Sequence, residues 1–304
     1  MREPTVRIAS IVSLIAVFAS TPCRGQTPPP GSDIHLAPLS ITGTRVQVGT
    51  PTNITNQPGY DNQPSFTPDG RAILFASVRG DGQPDIYRYD LATKSTSRVT
   101  ATPEGEYSPT IMPGGQRFSV IRVEADMTQR LWSFRLDGTD PQVVFDKIKP
   151  VGYHTWISAE AAVLFVLSTS RDANALVWAE RSGRADTLAR DIGRSLVRAG
   201  VDGSFSYAHR MPDSTWQLRV GGPRRPASAS EFTAVATLPR GADFVVWVTP
   251  NLVLTASGSK IYSWSRGAGD WAEVADLGSA GLSRLSRLAV SPDGKWLAVV
   301  TERP

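Results

Sequence analysis

A motif that recurs about every 45 residues constrains the fold of this chain more than any other feature of its sequence. The sharpest copy, residues 64–75, reads PSFTPDGRAILF, and the last, residues 288–300, reads LAVSPDGKWLAVV. Residues 109–120 and 154–165 are further copies, and looser copies are found at residues 201–205 and 249–253, which makes six in all. A period of this length indicates an array of similar structural units, each too small to bury its apolar face alone.

Each copy predicts four β-strands. A short first strand runs into a Pro-Asp-Gly turn, whose proline fixes φ and whose glycine accepts a positive φ. The second strand is a continuous apolar run, the third mixes aromatic with polar residues, and the fourth is more polar. The predicted second strands are residues 72–78, 118–123, 162–167, 205–209, 252–256 and 296–300. The pattern predicts an all-β fold, a six-bladed β-propeller with four antiparallel strands per blade.

One segment permits a different interpretation. Leu188, Ile192 and Leu196 lie at helical spacing, which is compatible with a short helix over residues 186–199. Gly193 interrupts that segment, and the repeat assigns strands to both of its flanks. We therefore predict strands here.

The last blade is predicted to draw on both ends of the chain. The sixth copy supplies two strands before the sequence ends, and residues 33–37 match the pattern of a third strand. Residues 45–48 and 53–55 match a fourth strand. Residues 54–55 also lie one period of about 45 residues before residues 99–100. Pairing the two ends would remove the unpaired sheet edges of an open ring.

The beginning of the chain resembles a secretory signal peptide. Two arginines precede the apolar run of residues 8–19, and small or turn-forming residues follow, so we predict cleavage after Gly25. Cys23 leaves open the alternative of a lipid-attached protein, although Ser20 to Pro22 fit that signal poorly. Residues 26–32 are predicted to be a proline-rich tether and residues 33–304 the propeller. No apolar run is long enough to span a membrane.

The charge of the chain does not favour nucleic acid as a partner. The formal net charge is +4, and residues 1–25 contribute three arginines and one glutamate, so the predicted mature chain carries about +2. Nucleic-acid-binding domains usually concentrate basic side chains on one face. We expect a periplasmic or secreted monomer that binds neither nucleic acid nor membrane.

The motifs at residues 64–77 and 288–301, with their Ser/Thr-Pro-Asp-Gly-Lys/Arg turns, resemble the TolB-type repeat of WD-like bacterial propellers. Residues 85–90 (DIYRYD) also fit this family, whose third strand often reads Asp-Ile-Tyr. We expect no counterpart of the α/β domain that precedes the propeller in TolB, because only the predicted tether lies between the predicted signal peptide and the first strand. The resemblance implies an envelope propeller whose funnel accepts a protein segment or another ligand.

The repeat places the loops that enter each blade, and the loops between second and third strands, on one face. We predict that ten residues of these loops bind the ligand: Tyr60, Asp61, Asn62, Arg79, Tyr107, Glu124, Asp126, His154, Arg171 and Asp172. Aromatic side chains mixed with charges suit recognition of a peptide or a sugar. The aspartates of the Pro-Asp-Gly turns, Asp69 and Asp293, are predicted to lie on the opposite face.

No catalytic pattern stands out. The sequence contains no Gly-x-Ser-x-Gly nucleophile motif and no zinc-ligand spacing, and His35, His154 and His209 fall in or beside predicted strands. The leading hypothesis is a binding or scaffold protein without catalytic activity, cofactor or metal. The alternative is a hydrolase like the six-bladed lactonases, with a calcium ion held in the channel by carboxylates and amides.

Overall fold

The computed structural model describes residues 29–80, 82–168, 173–200 and 202–303. Within them the chain forms 25 β-strands and two 3-10 helices, Ala229–Glu231 and Gly278–Ala280. The strands form six antiparallel sheets, and neighbouring sheets contact one another around a central channel. The prediction of a six-bladed propeller is confirmed. No helix in these residues is long and apolar enough to cross a membrane.

Each blade is named here in the order of its copy of the motif. Blade 1 contains β4 (Asp61–Phe66), β5 (Ala72–Val78), β6 (Pro84–Asp90) and β7 (Thr96–Arg98). Blade 2 contains β8 (Gly105–Ile111), β9 (Arg117–Val123), β10 (Gln129–Arg135) and β11 (Gln142–Val143). Blade 3 contains β12 (Val151–Trp156), β13 (Ala161–Val166), β14 (Ala175–Glu180) and β15 (Ala185–Arg190).

The remaining blades follow the same order. Blade 4 contains β16 (Ile192–Arg198), β17 (Phe205–Arg210), β18 (Trp216–Gly221) and β19 (Thr233–Thr237). Blade 5 contains β20 (Val245–Thr249), β21 (Leu252–Ser257), β22 (Lys260–Ser265) and β23 (Ala272–Asp276). Blade 6 contains β24 (Leu285–Val290), β25 (Trp296–Glu302), β1 (Ser32–Thr42), β2 (Arg45–Val48) and β3 (Thr52–Asn53).

Blade 6 combines strands from both ends of the described chain. Strand β1 pairs with β25 over seven residues, from Ser32 opposite Glu302 to Pro38 opposite Trp296. Both β2 and β3 pair with the other side of β1. The predicted closure of the ring by strands from both ends is therefore confirmed.

A repeated threonine shows how closely the joined blade copies the others. In blade 1 the backbone N–H of Ile86 donates to Thr100 Oγ1 at 2.9 Å, and in blade 6 the N–H of Ile34 donates to Thr55 Oγ1 at 3.0 Å. Both threonines follow the outermost strand and bond back to the third strand. The correspondence between residues 54–55 and 99–100 is thus a structural one.

The second strands form the most buried layer. Every residue of β5 is buried, and six of the seven residues of β9 are. Their side chains fill the interfaces between neighbouring blades, as where Phe118 and Phe134 stack at 5.6 Å beside Leu74 and Ile86 of blade 1. Burial of such apolar area is the main favourable term in folding, and it explains why these runs are continuously apolar. All six predicted second strands agree with the structure to within two residues at either end.

Residues 186–199 form strands, as predicted. Asp191, with φ of 54°, separates β15 from β16, so the segment turns from one blade into the next. Leu188, Ile192 and Leu196 all enter the interface of blades 3 and 4. Ile192 and Leu196 flank a bulge in β16 and pair with His209 and Tyr207 of β17, which lie two residues apart and so on one face of that strand.

The Pro-Asp-Gly turns also behave as predicted. Asp69 accepts hydrogen bonds from Thr67 Oγ1 and from the N–H of Arg71, and Gly70 has φ of 67°. Asp293 makes the equivalent contacts with Ser291 and Lys295. These aspartates hold turns at the end of the channel opposite the site described below.

Candidate functional site

The innermost strands are irregular near their beginnings. In five of the six blades the pairing between the first and second strand shifts register close to the start of the first strand. Gln63 and Ser108 occupy the same place in blades 1 and 2, and both take a positive φ, 61° and 54°. Gln63 Oε1 accepts the N–H of Ser108 at 2.6 Å, which ties the two irregularities together. Bulges re-aim side chains, and here they border one mouth of the channel.

A cavity of about 1010 Å³ lies at this mouth. Every blade contributes to its wall, one residue each being Tyr60, Tyr107, Tyr153, Arg194, Phe244 and Arg287. The rings of Tyr60 and Tyr107 meet edge to face at 6.2 Å. The cavity is at the upper end of the range of about 300–1,000 Å³ that is typical of ligand sites.

Arg287 spans the channel below this cavity. Its Nη2 donates a hydrogen bond of 2.9 Å to the hydroxyl of Tyr153, which belongs to the opposite blade. Its guanidinium carbon lies 3.8 Å from the centre of the Phe244 ring and 4.9 Å from that of the Tyr153 ring. A smaller cavity of about 140 Å³ lies deeper in the channel and shares with the upper one Gln63 and four larger side chains, Tyr153, Phe244, Arg194 and Arg287. These four side chains therefore form a floor between the two cavities.

The two arginines of the floor differ in their partners. Arg194 forms an ion pair with Asp243, and its guanidinium carbon lies 5.2 Å from the centre of the Phe244 ring. Arg287 forms no ion pair with any carboxylate in the part of the chain that the structure describes. Asp243 and Glu302 are the two carboxylates on the cavity wall, and Glu302 is exposed.

Three of the ten residues predicted to bind a ligand line the upper cavity: Tyr60, Asn62 and Tyr107. Burial raises the pKa of Tyr107 to about 12 and that of Tyr60 further, so both phenols are neutral. Asn62 Nδ2 donates to Ser32 Oγ at 3.3 Å, which connects the cavity wall to the strand that closes the ring.

Asp61 and Arg79 lie beside the cavity without lining it. Asp61 is fully buried and accepts a hydrogen bond of 2.8 Å from Gln57 Nε2. Arg79 Nη2 lies 3.8 Å from Asp61 Oδ1, and its guanidinium carbon lies 4.4 Å from the centre of the Tyr87 ring. Asp61 thus connects blade 1 to the segment that precedes it, and Arg79 connects strands of blade 1.

Glu124 and Asp126 also bond within their own blade. Glu124 accepts hydrogen bonds of 2.8 Å from Arg130 Nε and from Trp132 Nε1. Asp126 accepts the N–H of Thr128 at 2.9 Å and closes the turn between β9 and β10. The last two predicted residues, Arg171 and Asp172, lie outside the described residues.

His154 lines the deeper cavity and has a buried hydrogen-bond partner. Its Nε2 lies 2.7 Å from Ser119 Oγ, which also accepts a hydrogen bond of 2.8 Å from Trp156 Nε1. Burial lowers the pKa of His154 to about 3, so the ring is neutral at physiological pH. This arrangement ties blade 3 to blade 2.

The residues of the floor were not among those predicted from the sequence. Tyr153 and Arg287 occupy the places in blades 3 and 6 that Gln63 and Ser108 occupy in blades 1 and 2. The repeat register contained this signal, because each lies one residue before the copy of the motif. Arg194 lies in a blade whose copy is weak, so its equivalence could not be found in the same way.

The described residues contain no group of three or more His, Cys, Asp or Glu side chains placed to hold a metal ion. The floor of the channel mouth carries the guanidinium groups of Arg194 and Arg287, whereas a calcium ion needs oxygen ligands such as carboxylates and amides. The chemistry of this floor suits an anion better than a cation.

Two known proteins are similar in sequence to parts of this chain. An uncharacterized protein of Agrobacterium fabrum is 29% identical over 115 residues, which is 36% of this chain and 39% of that protein. The Tol-Pal system protein TolB of Francisella tularensis subsp. holarctica is 39% identical over 63 residues, 20% of this chain and 14% of TolB. The chain therefore matches well under two thirds of the length of either relative.

Two solved structures share the whole ring. A protein described as a putative TolB from Agrobacterium tumefaciens superposes with a TM-score of 0.68 at 16% identity, covering 91% of this chain and 99% of that one. A gluconolactonase from Xanthomonas campestris superposes with a TM-score of 0.62 at 9% identity, covering 90% and 99%. At these identities the likeness concerns the fold alone.

A family model described as the TolB beta propeller domain matches residues 40–191, which is half of the chain. The resemblance drawn from the motifs is confirmed. This chain belongs to the TolB β-propeller family.

Proposed function

We propose that the protein is an exported binding and scaffold propeller that recognises a segment of an envelope protein at the channel mouth. The observation that carries this proposal is the cavity of about 1010 Å³ to which all six blades contribute. Its wall mixes aromatic rings such as Tyr107 and Trp216 with amides such as Asn62 and Gln129. Aromatic side chains beside polar groups are typical of surfaces that bind peptides.

The chemistry of the site supports binding over catalysis. Tyr60 and Tyr107 are neutral phenols at physiological pH, and His154 is a neutral imidazole engaged with Ser119. A hydrolase with a channel metal remains the alternative, favoured by the likeness in fold to a gluconolactonase. Two observations argue against it. The described residues bring together no group of three or more His, Cys, Asp or Glu side chains, and the arginines of the floor would repel a metal cation.

The cell envelope is the proposed place of action. Residues 1–25 have the layout of a signal peptide, with Cys23 as the position of the lipid-attached alternative. Similarity to proteins named for the Tol-Pal system supports the same location. We propose that residues 26–32 tether a monomeric propeller.

Selection from a displayed library of random decapeptides would test the proposal. The purified protein should enrich peptides that bind the wild type. The double variant Trp216→Ala/Gln129→Ala should lose at least tenfold in affinity for them, because both half-buried side chains line the cavity. Arg71→Ala is the matched control, since Arg71 is exposed at the opposite end of the channel. Equal binding by all three proteins would show that the cavity is not the site.

A further inference from the structure

We propose that Arg287 forms a carboxylate-binding subsite at the floor of the channel mouth, so that the protein segment recognised there carries an acidic side chain or a free C-terminus. This inference rests on the proposed function, because it specifies the chemistry of the ligand for the same cavity. Arg287 differs from the other arginine of the floor in its partners and in the position of its guanidinium group.

The guanidinium of Arg287 has unused hydrogen-bonding capacity. A guanidinium carries five N–H donors, and the structure shows one hydrogen bond from Arg287, to Tyr153. The side chain is half-buried, and no carboxylate in the described part of the chain neutralises it. A partly desolvated charge without a counter-charge is unfavourable, and a ligand carboxylate would supply both the charge and the acceptors.

The neighbouring rings hold the guanidinium in an orientation suited to a carboxylate. Phe244 and Tyr153 lie 3.8 Å and 4.9 Å from the guanidinium carbon, and Tyr153 also accepts a hydrogen bond from it. The rings of Phe244 and Tyr153 are inclined by 68° to each other, so at most one of them can lie parallel to the guanidinium plane. The N–H groups that do not bond to Tyr153 are therefore available for in-plane contacts. Paired N–H···O bonds from one edge of the guanidinium are the usual way in which arginine recognises a carboxylate.

The second arginine makes Arg287 the place where an added anion would bind. Arg194 already has Asp243 as its partner, so it is compensated within the protein. Arg287 and Arg194 both border the upper and the deeper cavity. A ligand entering the mouth therefore meets a floor on which Arg194 has a carboxylate partner and Arg287 has none among the described residues.

A peptide is the source of the carboxylate that the cavity favours. The wall above the floor presents Tyr60, Tyr107 and Trp216 together with the amides of Asn62 and Gln129. Amide side chains can pair with the backbone of a peptide, and the aromatic rings offer contacts for its side chains. An acidic oligosaccharide is the competing ligand, and the experiment separates the two.

The test uses peptides selected on the wild-type protein, synthesised as matched acid and amide forms. For each peptide, every Asp or Glu is replaced singly by Asn or Gln, and the C-terminal carboxylate is replaced by an amide. Fluorescence polarisation then measures the affinity of each form. We expect one replacement in each peptide to weaken binding at least tenfold, and its position identifies an acidic side chain or the C-terminus as the source.

Variants assign this preference to Arg287. In Arg287→Gln the acid and amide forms should bind within twofold of each other, and Arg287→Lys should keep part of the preference because it retains the charge without the planar fork. Arg266→Gln is the matched control, since Arg266 also stacks on a ring, that of Trp247 at 5.2 Å, away from the cavity. Thermal melting checks that each variant is folded. The comparison of acid and amide forms on the wild type needs no variant.

The outcomes separate the two proposals. If selected peptides bind the wild type with no difference between acid and amide forms, the carboxylate subsite is refuted and the peptide-binding function stands. If the library yields no peptide, both proposals fail. If oligogalacturonate binds in calorimetry and Arg287→Gln abolishes that binding while no peptide is selected, the ligand is an acidic glycan and the peptide is ruled out.

Discussion

Arg303 and Asp33 are 270 residues apart in sequence and form a bidentate ion pair where the ring closes. Arg303 Nε donates to one carboxylate oxygen at 2.9 Å and Nη2 donates to the other at 2.6 Å. Arg303 also donates to the backbone carbonyl of Gln57. Asp33 belongs to β1 and Arg303 follows β25, so one side chain connects the two ends of the described chain.

Arg303→Ala should lower the free energy of unfolding by about 2 kcal/mol, because it removes charge-assisted hydrogen bonds to a largely buried carboxylate. Urea denaturation measures the loss. The matched control is Lys260→Ala, which breaks the exposed pair with Glu273 and should cost less than about 1 kcal/mol. Equal losses in the two variants would show that the closing pair has no special weight.

Deletion of residues 33–56 should give an insoluble or unfolded protein. The deletion removes β1, β2 and β3 and leaves β25 as an unpaired edge beside blade 1. Solubility and cooperative thermal melting, followed by circular dichroism, are the measurements. A soluble deletion protein that melts cooperatively would contradict the closure of the ring as a condition for folding.

Glu106 should make stability depend on pH in the direction opposite to that of an ordinary surface carboxylate. Its carboxylate is fully buried between Thr100 and Thr102, with Arg122 Nε at 3.3 Å from one oxygen. Burial raises the pKa of Glu106 from 4.5 to about 7, against the lowering effects of its hydrogen bonds and of Arg122. Between these values the folded protein keeps the proton that the unfolded chain releases.

The contribution of Glu106 to stability is therefore greatest below pH 4.5 and is lost as the pH rises to about 7. The loss is on the order of 3 kcal/mol for a pKa difference of this size. Chemical denaturation of the wild type and of Glu106→Gln at pH 5 and pH 8 measures it as the difference between their pH dependences. Identical pH dependence in the two proteins would show that Glu106 has an ordinary pKa.

Ser119→Ala should destabilise the junction of blades 2 and 3 by about 1–3 kcal/mol, the cost of leaving buried polar groups without partners. The hydroxyl of Ser119 bonds to both His154 and Trp156, and all three side chains are buried. Urea denaturation is the measurement, with the exposed Ser228→Ala as the control of the same chemistry. A change below about 0.5 kcal/mol would mean that the two rings find other partners.

Calcium should leave the melting temperature unchanged. Arg194 and Arg287 at the floor of the channel mouth disfavour a cation there, and an ion that binds the folded state would raise stability by mass action. Differential scanning fluorimetry with calcium and with a chelator makes the comparison. A chelator-sensitive rise in melting temperature would favour the metal-dependent hydrolase instead.

Much of the fold could be predicted because it is repeated. The apolar run of β5 and its copies, and the turns at Gly70 and Gly294, follow from local requirements that each blade meets in the same way. The assembly of blade 6 from both ends of the chain could also be predicted from the sequence, because Thr55 and Thr100 keep the same place in their copies. The strand interpretation of residues 186–199 depended on the repeat, since the spacing of Leu188, Ile192 and Leu196 also suits a helix.

The candidate site was predicted only in part. Tyr60, Asn62 and Tyr107 line the cavity, whereas Glu124 and Asp126 bond to neighbours within their own blade. A loop residue's position on the correct face does not determine which partner its side chain finds. Nearby partners such as Arg130 and Thr128 bond to these carboxylates and keep them from lining the cavity. The repeat does not indicate which partner a loop side chain will bond to.

The sequence alone determined the number of blades, the order of their strands and the closure of the ring. These follow from periodic burial of apolar side chains and from turn residues that act locally. The tertiary structure decided the floor of the channel mouth. Arg287, Tyr153 and Phe244 lie in three different blades, and they meet because the ring brings opposite blades within reach of one long side chain. Contacts of this kind depend on the closed ring and on the bulges that aim each side chain, neither of which acts within a single copy of the motif.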